Sequence, residues 1–228
     1  MLLRKGRIMT RNEVCVFIEE IGILPSVRVA TQELARFAAE TVYSAGIPIA
    51  EITLTTPGAL AVINDLANRF PAMAVGAGTV LDEESARKCV DAGARFLTSP
   101  GFVPEVVAYA RKVDVCVFPG ALTPTEIIAA WKAGSDFVKI FPTGHVGGIQ
   151  YVRALKVPLP QIRLIATGGV NQLTASDFIL AGATAIGLGS ELLPKEALHF
   201  RQEDRIHELS GRFLAKVRDA RALRETYY

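Results

Sequence analysis

Apolar and polar positions along the chain alternate between two patterns: stretches with apolar residues at helical spacing, and short apolar runs of the kind that form buried strands. Four junctions share a signature in which the helical stretch ends in Ala-Gly and a strand follows: SAGIPIAEI, DAGARFLTS, KAGSDFVKI and LAGATAIGL. Glycine suits these junctions because it adopts the left-handed conformation of a helix C-cap without a Cβ clash. The glycines, Gly46, Gly93, Gly134 and Gly182, are 47, 41 and 48 residues apart. That is about twice what one short strand, one helix and two loops require, so one further unit belongs between each pair. GILPSVRV, AMAVGAGTV, VDVCVFPGA and IRLIATGGV supply it, each an apolar run followed by a helix-like segment.

Eight strands and eight helices in alternation predict a single-domain (β/α)8 TIM barrel, its core running from about residue 22 to about residue 222 of the 228, with flexible ends. A doubly wound open sheet is the competing architecture. It usually has fewer strands, and the first strand here lacks the Gly-x-Gly-x-x-Gly turn of that fold. The tail DRIHELSGRFLAKVRDARA places Ile206, Leu209, Phe213 and Val217 at helical spacing, a face that packs on the barrel. His199 and His207 belong to that region, away from the catalytic end, His145 to a surface loop, and Trp131 to helix packing.

One strand breaks the apolar rule. In SDFVKIFPTG, alternation puts Phe137, Lys139 and Phe141 on one face and Val138 and Ile140 on the other. Val and Ile suit the face that meets helices, so Lys139 points into the barrel. In PIAEITLTT the same alternation turns Ile49, Glu51 and Thr53 inward. An inward Glu and Lys can be a satisfied buried ion pair, but both lie toward the C-terminal ends of their strands, where this fold carries its active sites. Burial favours the neutral amine of a lysine, and a neutral amine attacks a carbonyl to form a Schiff base whose iminium is an electron sink. A nearby carboxylate moves the protons that carbinolamine formation and enamine chemistry require.

Other strand ends add candidates. Arg28, after the first strand, has the planar fork that binds a carboxylate, although a solvated loop arginine fits that place as well. Thr79 follows GAG and Thr167 precedes Gly168-Gly169; taken alone, each reads as a turn or cap residue. The last two strands end in ATGGVN and GLGSEL, where Gly168, Gly169, Gly189 and Ser190 let backbone N–H groups approach an anion and the following helix N-termini favour its charge. In such barrels these two loops form the phosphate site.

Charge narrows the partners. With 25 basic against 23 acidic residues there is no broad basic field to attract nucleic acid or an anionic membrane, which leaves a small molecule. Cys15, Cys89 and Cys116 are far apart with no C-x-x-C, and read as reduced packing residues of a cytoplasmic protein. No apolar run reaches the length of a membrane span, and MLLRKGRIMT lacks the apolar stretch of a secretory signal.

In order along the chain, EITLTTPGA, VGAGTVL, SPG, FPGALTPTE, FVKIFP, ATGGV and GLGSEL resemble the class I aldolases of 2-keto-3-deoxy-6-phosphogluconate and 4-hydroxy-2-oxoglutarate over nearly the whole barrel. The resemblance implies Lys139 as the Schiff-base lysine and Glu51 as the general acid/base. It further implies Thr79, Pro100 and Phe141 as substrate contacts, with Thr79 on the pyruvyl carboxylate, and Gly168, Gly169, Gly189 and Ser190 as the phosphate site. Several members carry an arginine where Thr55 stands; others pair threonine there with an arginine at the position of Arg28, which passes the carboxylate role to Arg28. Thr167 matches a threonine tied to stereochemical choice at the carbon bearing the new hydroxyl and points to the gluconate-derived acid over its galactonate epimer. The products implied are pyruvate and glyceraldehyde 3-phosphate, or glyoxylate from 4-hydroxy-2-oxoglutarate, with a homotrimeric assembly and neither metal nor organic cofactor. A non-covalent sugar-phosphate isomerase, epimerase or synthase using Glu51 as base, and a sensor that only binds a sugar phosphate, are the alternatives on this fold.

Overall fold

Paired strands that follow one another in the chain are joined by helical crossovers, and every strand pairing in the computed structural model is parallel. The structure describes residues 9–227. Its strands are β1 Ile23–Val27, β2 Ile49–Thr53, β3 Ala74–Gly78, β4 Phe96–Thr98, β5 Cys116–Phe118, β6 Gly120–Ala121, β7 Val138–Ile140, β8 Leu164–Thr167 and β9 Ala185–Leu188. They lie in the order β5-β4-β3-β2-β1-β9-β8-β7-β6.

The two edges of that order are one predicted strand. VDVCVFPGA is divided at Pro119, which has no N–H to donate to its neighbour. β5 therefore pairs with β4, and β6 pairs with β7. The Asp136 N–H donates to the Val117 carbonyl and the Lys139 N–H to the Pro119 carbonyl, both at 2.9 Å, which closes the sheet into an eight-staved TIM barrel.

The helices that follow the strands are α2 Gln32–Ser44, α3 Ala59–Arg69, α4 Glu83–Asp91, α5 Pro104–Lys112, α6 Pro124–Lys132, α7 Gly148–Lys156, α8 Ala175–Leu180, a short α9 Lys195–His199 and the long α10 Glu203–Tyr227. The four Ala-Gly junctions behave as expected: Gly46, Gly93, Gly134 and Gly182 all have positive φ, between 90° and 105°. Ile206, Leu209, Phe213 and Val217 of α10 are buried against the barrel. Trp131 departs from the packing role expected of it, being 42% exposed on α6. The C-terminal stretch, expected to be a flexible end, continues α10 through Tyr227; residues 1–8 lie outside the described residues.

A helix that the strand–helix rhythm does not announce precedes the barrel. α1, Arg11–Ile21, opens on a reciprocal cap in which the Glu13 N–H donates to Thr10 Oγ1 and the Thr10 N–H donates to the Glu13 carboxylate. Its Val14, Cys15 and Ile18 enter the barrel interior from below, among Leu24, Ile49, Ala74, Phe96, Cys116, Phe137 and Ile165. Above them the rings of Phe96, Phe118 and Phe137 follow one another at 5.0 and 5.7 Å between centroids, an aromatic floor beneath the C-terminal end. All three cysteines are free and buried.

Candidate active site

Side-chain alternation holds on both chemistry-bearing strands. Phe137 and Ile49 sit in the interior cluster, while Val138, Ile140, Ala50 and Ile52 face the helices. Lys139 and Glu51 thus stand directly above the aromatic floor, pointing inward. They are 7% and 1% exposed, and Lys139 Nζ lies 3.4 Å from Glu51 Oε2. Two strands whose residues are 88 positions apart bring this pair together.

The space around the carboxylate is made by a missing side chain. A Cβ at Gly78 would stand 2.2 Å from Glu51 Oε1, so any larger residue there would drive the carboxylate from its place. Oε1 is held from the other side by the Ser26 hydroxyl, which donates to it at 3.0 Å. Ser26 faces Glu51 in register across the β1–β2 pair. Lys139 has a comparable arrangement on its flank: Gly120 is its register partner, and a Cβ at Gly120 would meet the Pro100 carbonyl oxygen at 2.1 Å. The loop bearing Pro100 therefore rests on β6 beside the lysine. Phe141 lies at the mouth, its ring centroid 5.8 Å from Lys139 Nζ.

Arg28 and Thr79 are also brought together, the Arg28 guanidinium donating to Thr79 Oγ1 at 3.5 Å. Thr79 holds φ at 63°, a region uncommon for a residue with a branched Cβ, so the surrounding structure fixes its direction at some cost. Thr55 is exposed and shares a hydrogen bond with Thr53 Oγ1 at 3.0 Å. Thr167 Oγ1 is buried with no hydrogen-bond partner, and it lies where a Cβ at Gly187 would come within 2.3 Å of it.

On the far side, the Gly144 N–H donates to the Gly168 carbonyl at 2.7 Å and the Gly144 and Gly169 backbones are in contact, so the loops after β7 and β8 form one wall. Gly189 and Ser190, after β9, line an open cavity of ≈ 990 Å³ together with Ser26, Arg28, Lys195 and His199. Two expectations change here. The helices after these loops start later than anticipated, at Ala175 and Lys195, because an Asn171 turn and Pro194 intervene; the loop after β9 first folds back on the Gly189 carbonyl through the Leu192 and Leu193 N–H groups. And His199 is at the catalytic end, on α9, whereas His207 bonds Ser44 at 2.9 Å and His145 is exposed in the loop after β7.

A metal would need a different place. Among the described residues, one group of three donors converges within 4.8 Å, Cys15, Cys116 and Asp136. It lies at the α1 end of the barrel, burial pushes the Cys116 thiol well up, and Asp136 Oδ2 already accepts from the Arg11 guanidinium and the Val117 N–H.

The family model for the KDPG and KHG aldolases matches residues 14–209, which include every strand of the barrel and every site residue described above. The chain belongs to that family. It is therefore an aldolase, a lyase. Among curated relatives, the KHG/KDPG aldolase of Escherichia coli (strain K12) is 32% identical over 189 residues, covering 82% of this chain and 88% of that one. The 2-dehydro-3-deoxy-phosphogluconate aldolase of Pseudomonas aeruginosa is 30% identical over 202 residues, covering 89% and 92%. Among solved structures, the KDPG aldolase of Legionella pneumophila, with pyruvate captured as a covalent carbinolamine, superposes with a TM-score of 0.80 at 30% identity, covering 86% of this chain and 95% of that one. A 3-hexulose-6-phosphate synthase matches at TM-score 0.70 and 17% identity, a likeness of fold alone.

Ser26, Gly78, Lys195 and His199 were not among the residues expected from the sequence. Ser26 was within reach, since alternation from Leu24 through Ser26 to Arg28 turns it inward. Gly78 reads in sequence as part of a Gly-rich turn, and α9 is too short to show a periodicity.

Proposed function

We propose that this protein cleaves 2-keto-3-deoxy-6-phosphogluconate to pyruvate and glyceraldehyde 3-phosphate through a Schiff base on Lys139, and that it also acts on 4-hydroxy-2-oxoglutarate. The observation that carries the reading is the buried Lys139 amine 3.4 Å from the Glu51 carboxylate at the C-terminal end of a closed barrel.

The amine adds to the C2 carbonyl of the substrate, and Glu51 moves the protons that turn the carbinolamine into an iminium with loss of water. Glu51 then takes the proton of the C4 hydroxyl. The C3–C4 pair flows into the iminium, glyceraldehyde 3-phosphate leaves, and an enamine of pyruvate remains on Lys139. Protonation at C3 and hydrolysis release pyruvate and the free amine. The Arg28–Thr79 pair takes the pyruvyl carboxylate by the guanidinium fork and a hydroxyl, between the Pro100 loop and Phe141. The wall of Gly168 and Gly169 and the loop of Gly189 and Ser190 take the phosphate through backbone N–H groups. The buried hydroxyl of Thr167 has no hydrogen-bond partner within the chain, and we assign to it the choice of the gluconate-derived acid. We also place the enzyme in the cytoplasm as a homotrimer. No described helix is long and apolar enough to cross a membrane, and three free thiols suit a reducing compartment.

Borohydride reduction in the presence of pyruvate tests the covalent step. A stable adduct on Lys139 is expected, absent in Lys139→Met, with turnover lost in the same variant; turnover surviving in Lys139→Met would remove the Schiff base from the mechanism. Comparing kcat/KM for the gluconate- and galactonate-derived acids and 4-hydroxy-2-oxoglutarate tests the substrate, the first being expected to lead.

A further inference from the structure

The two oxygens of Glu51 have different surroundings. Oε2 faces Lys139 Nζ at 3.4 Å, and Oε1 accepts from the Ser26 hydroxyl at 3.0 Å. Gly78 adds a wall against Oε1, its Cα near enough that a Cβ would overlap that oxygen. A glutamate has three side-chain torsions, and the hydrogen bond and the wall between them leave the carboxylate one orientation. Ser26 is itself fixed, because it sits in the middle of the β1–β2 ladder opposite Glu51 and beside the Val27–Ile52 pair. It also lines the cavity shared by Arg28 and Ser190, so it stands between the acid/base and the substrate space.

Resting on the Schiff-base reading above, we infer that Ser26 is a positioning residue for Glu51: its hydroxyl holds Oε1 so that Oε2 alone serves as the proton-moving oxygen. In exchange of the pyruvate methyl, Oε2 takes a proton from C3 of the lysine-bound iminium. The C–H pair becomes the C2–C3 double bond, and the C=N pair returns to nitrogen, giving a neutral enamine. Return of a solvent deuteron from the same oxygen to C3 reverses each shift. Without the Ser26 hydroxyl the carboxylate can rotate about its last torsion and leave the iminium, while Lys139 keeps its place and its nucleophilicity.

The test uses the full chain with Ser26→Ala and Ser26→Thr, the second keeping a hydroxyl on a strand position that tolerates a β-branched side chain. Deuterium exchange into pyruvate and kcat for cleavage should both fall about tenfold in Ser26→Ala, the scale of a lost hydrogen bond to a charged group. KM should stay within about twofold, because the interaction lost acts on the chemical steps and not on substrate binding. Borohydride adduct on Lys139 should reach the same final yield in Ser26→Ala as in the unaltered protein, with the variant still folded at the assay temperature, and Ser26→Thr should recover most of the exchange rate. Exchange in Ser26→Ala equal to that of the unaltered protein, or Ser26→Thr no faster than Ser26→Ala, would overturn the inference. Failure of the unaltered protein to form the adduct would instead overturn the Schiff-base reading beneath it.

Discussion

At position 78 the candidate site depends on an atom that is not there. The inward face of β3 carries Gly76 and Gly78, where a Cβ would meet the Phe96 ring and the Glu51 carboxylate, both at 2.2 Å. One glycine lets the aromatic floor fill the barrel, and the next leaves a socket for a carboxylate just above it. The same economy governs the opposite wall, where the backbones at Gly144, Gly168 and Gly169 touch because none carries a Cβ, the wall proposed above to take the phosphate. Replacing Ser190 by glutamate places a like charge against that anion. The expected result is a loss of kcat/KM of about a hundredfold or more for phosphorylated substrates, from direct repulsion in a partly enclosed site. 4-Hydroxy-2-oxoglutarate, which puts no phosphate there, should lose far less. Equal losses for both would mean that the loop after β9 holds no phosphate.

Among the elements, α1 does work that no strand or crossover helix can do, because a barrel of parallel strands leaves its N-terminal end open. Val14, Cys15 and Ile18 fill that end, and the helix is fastened by Arg11, whose guanidinium bonds the buried Asp136 just before β7. Burial of Asp136 without its cation leaves an uncompensated charge, and Arg11→Met should destabilise the protein by about 3 kcal/mol. Urea denaturation measures this, and a change under about 0.5 kcal/mol, the scale of an exposed pair, would show that the ion pair is only superficial.

The start of α6 gives a pH-dependent counterpart. Hydrogen bonds from the Thr123 and Leu122 N–H groups and the Thr123 hydroxyl hold the Glu126 carboxyl below its usual range. A group depressed in the folded state contributes stability above its unfolded value, near 4.3, and loses it as pH falls through the folded value. Glu126→Gln should therefore melt below the unaltered protein near neutral pH, and the gap should shrink on acidification below about pH 4. A gap that is constant with pH would assign the effect to the shape of the cap and not to its charge.

For the whole molecule, closure of the barrel is decided in the divided fifth strand. Pro119 interrupts donation to β4, yet its carbonyl accepts the N–H of Lys139, so the seam of the barrel runs through the backbone of the lysine proposed to form the Schiff base. Assembly lies beyond the single chain. Sedimentation equilibrium should give three times the chain mass of 24.5 kDa, and a species of single-chain mass at micromolar concentration would refute the trimer.

Periodicity in the sequence determined the staves and crossovers, because burial on the two faces of each strand imposes alternation, and helix ends before a strand favour glycine. It also determined that Lys139 and Glu51 face inward, since a side chain's face follows from its parity along the strand. The order of local motifs carried the family. Three things were settled only by tertiary structure. α1 shows an amphipathic pattern and a capping box, but that the helix enters the barrel end depends on contacts with strands more than a hundred residues away, such as Cys15 with Cys116. The 3.4 Å approach of Lys139 to Glu51 and the hold of Ser26 on Oε1 depend on stagger between strands, and the strand sequences do not state that stagger. His199 belongs to the catalytic end because Pro194 delays a short helix past the loop after β9, a placement set by packing around the barrel mouth and invisible to any periodic pattern.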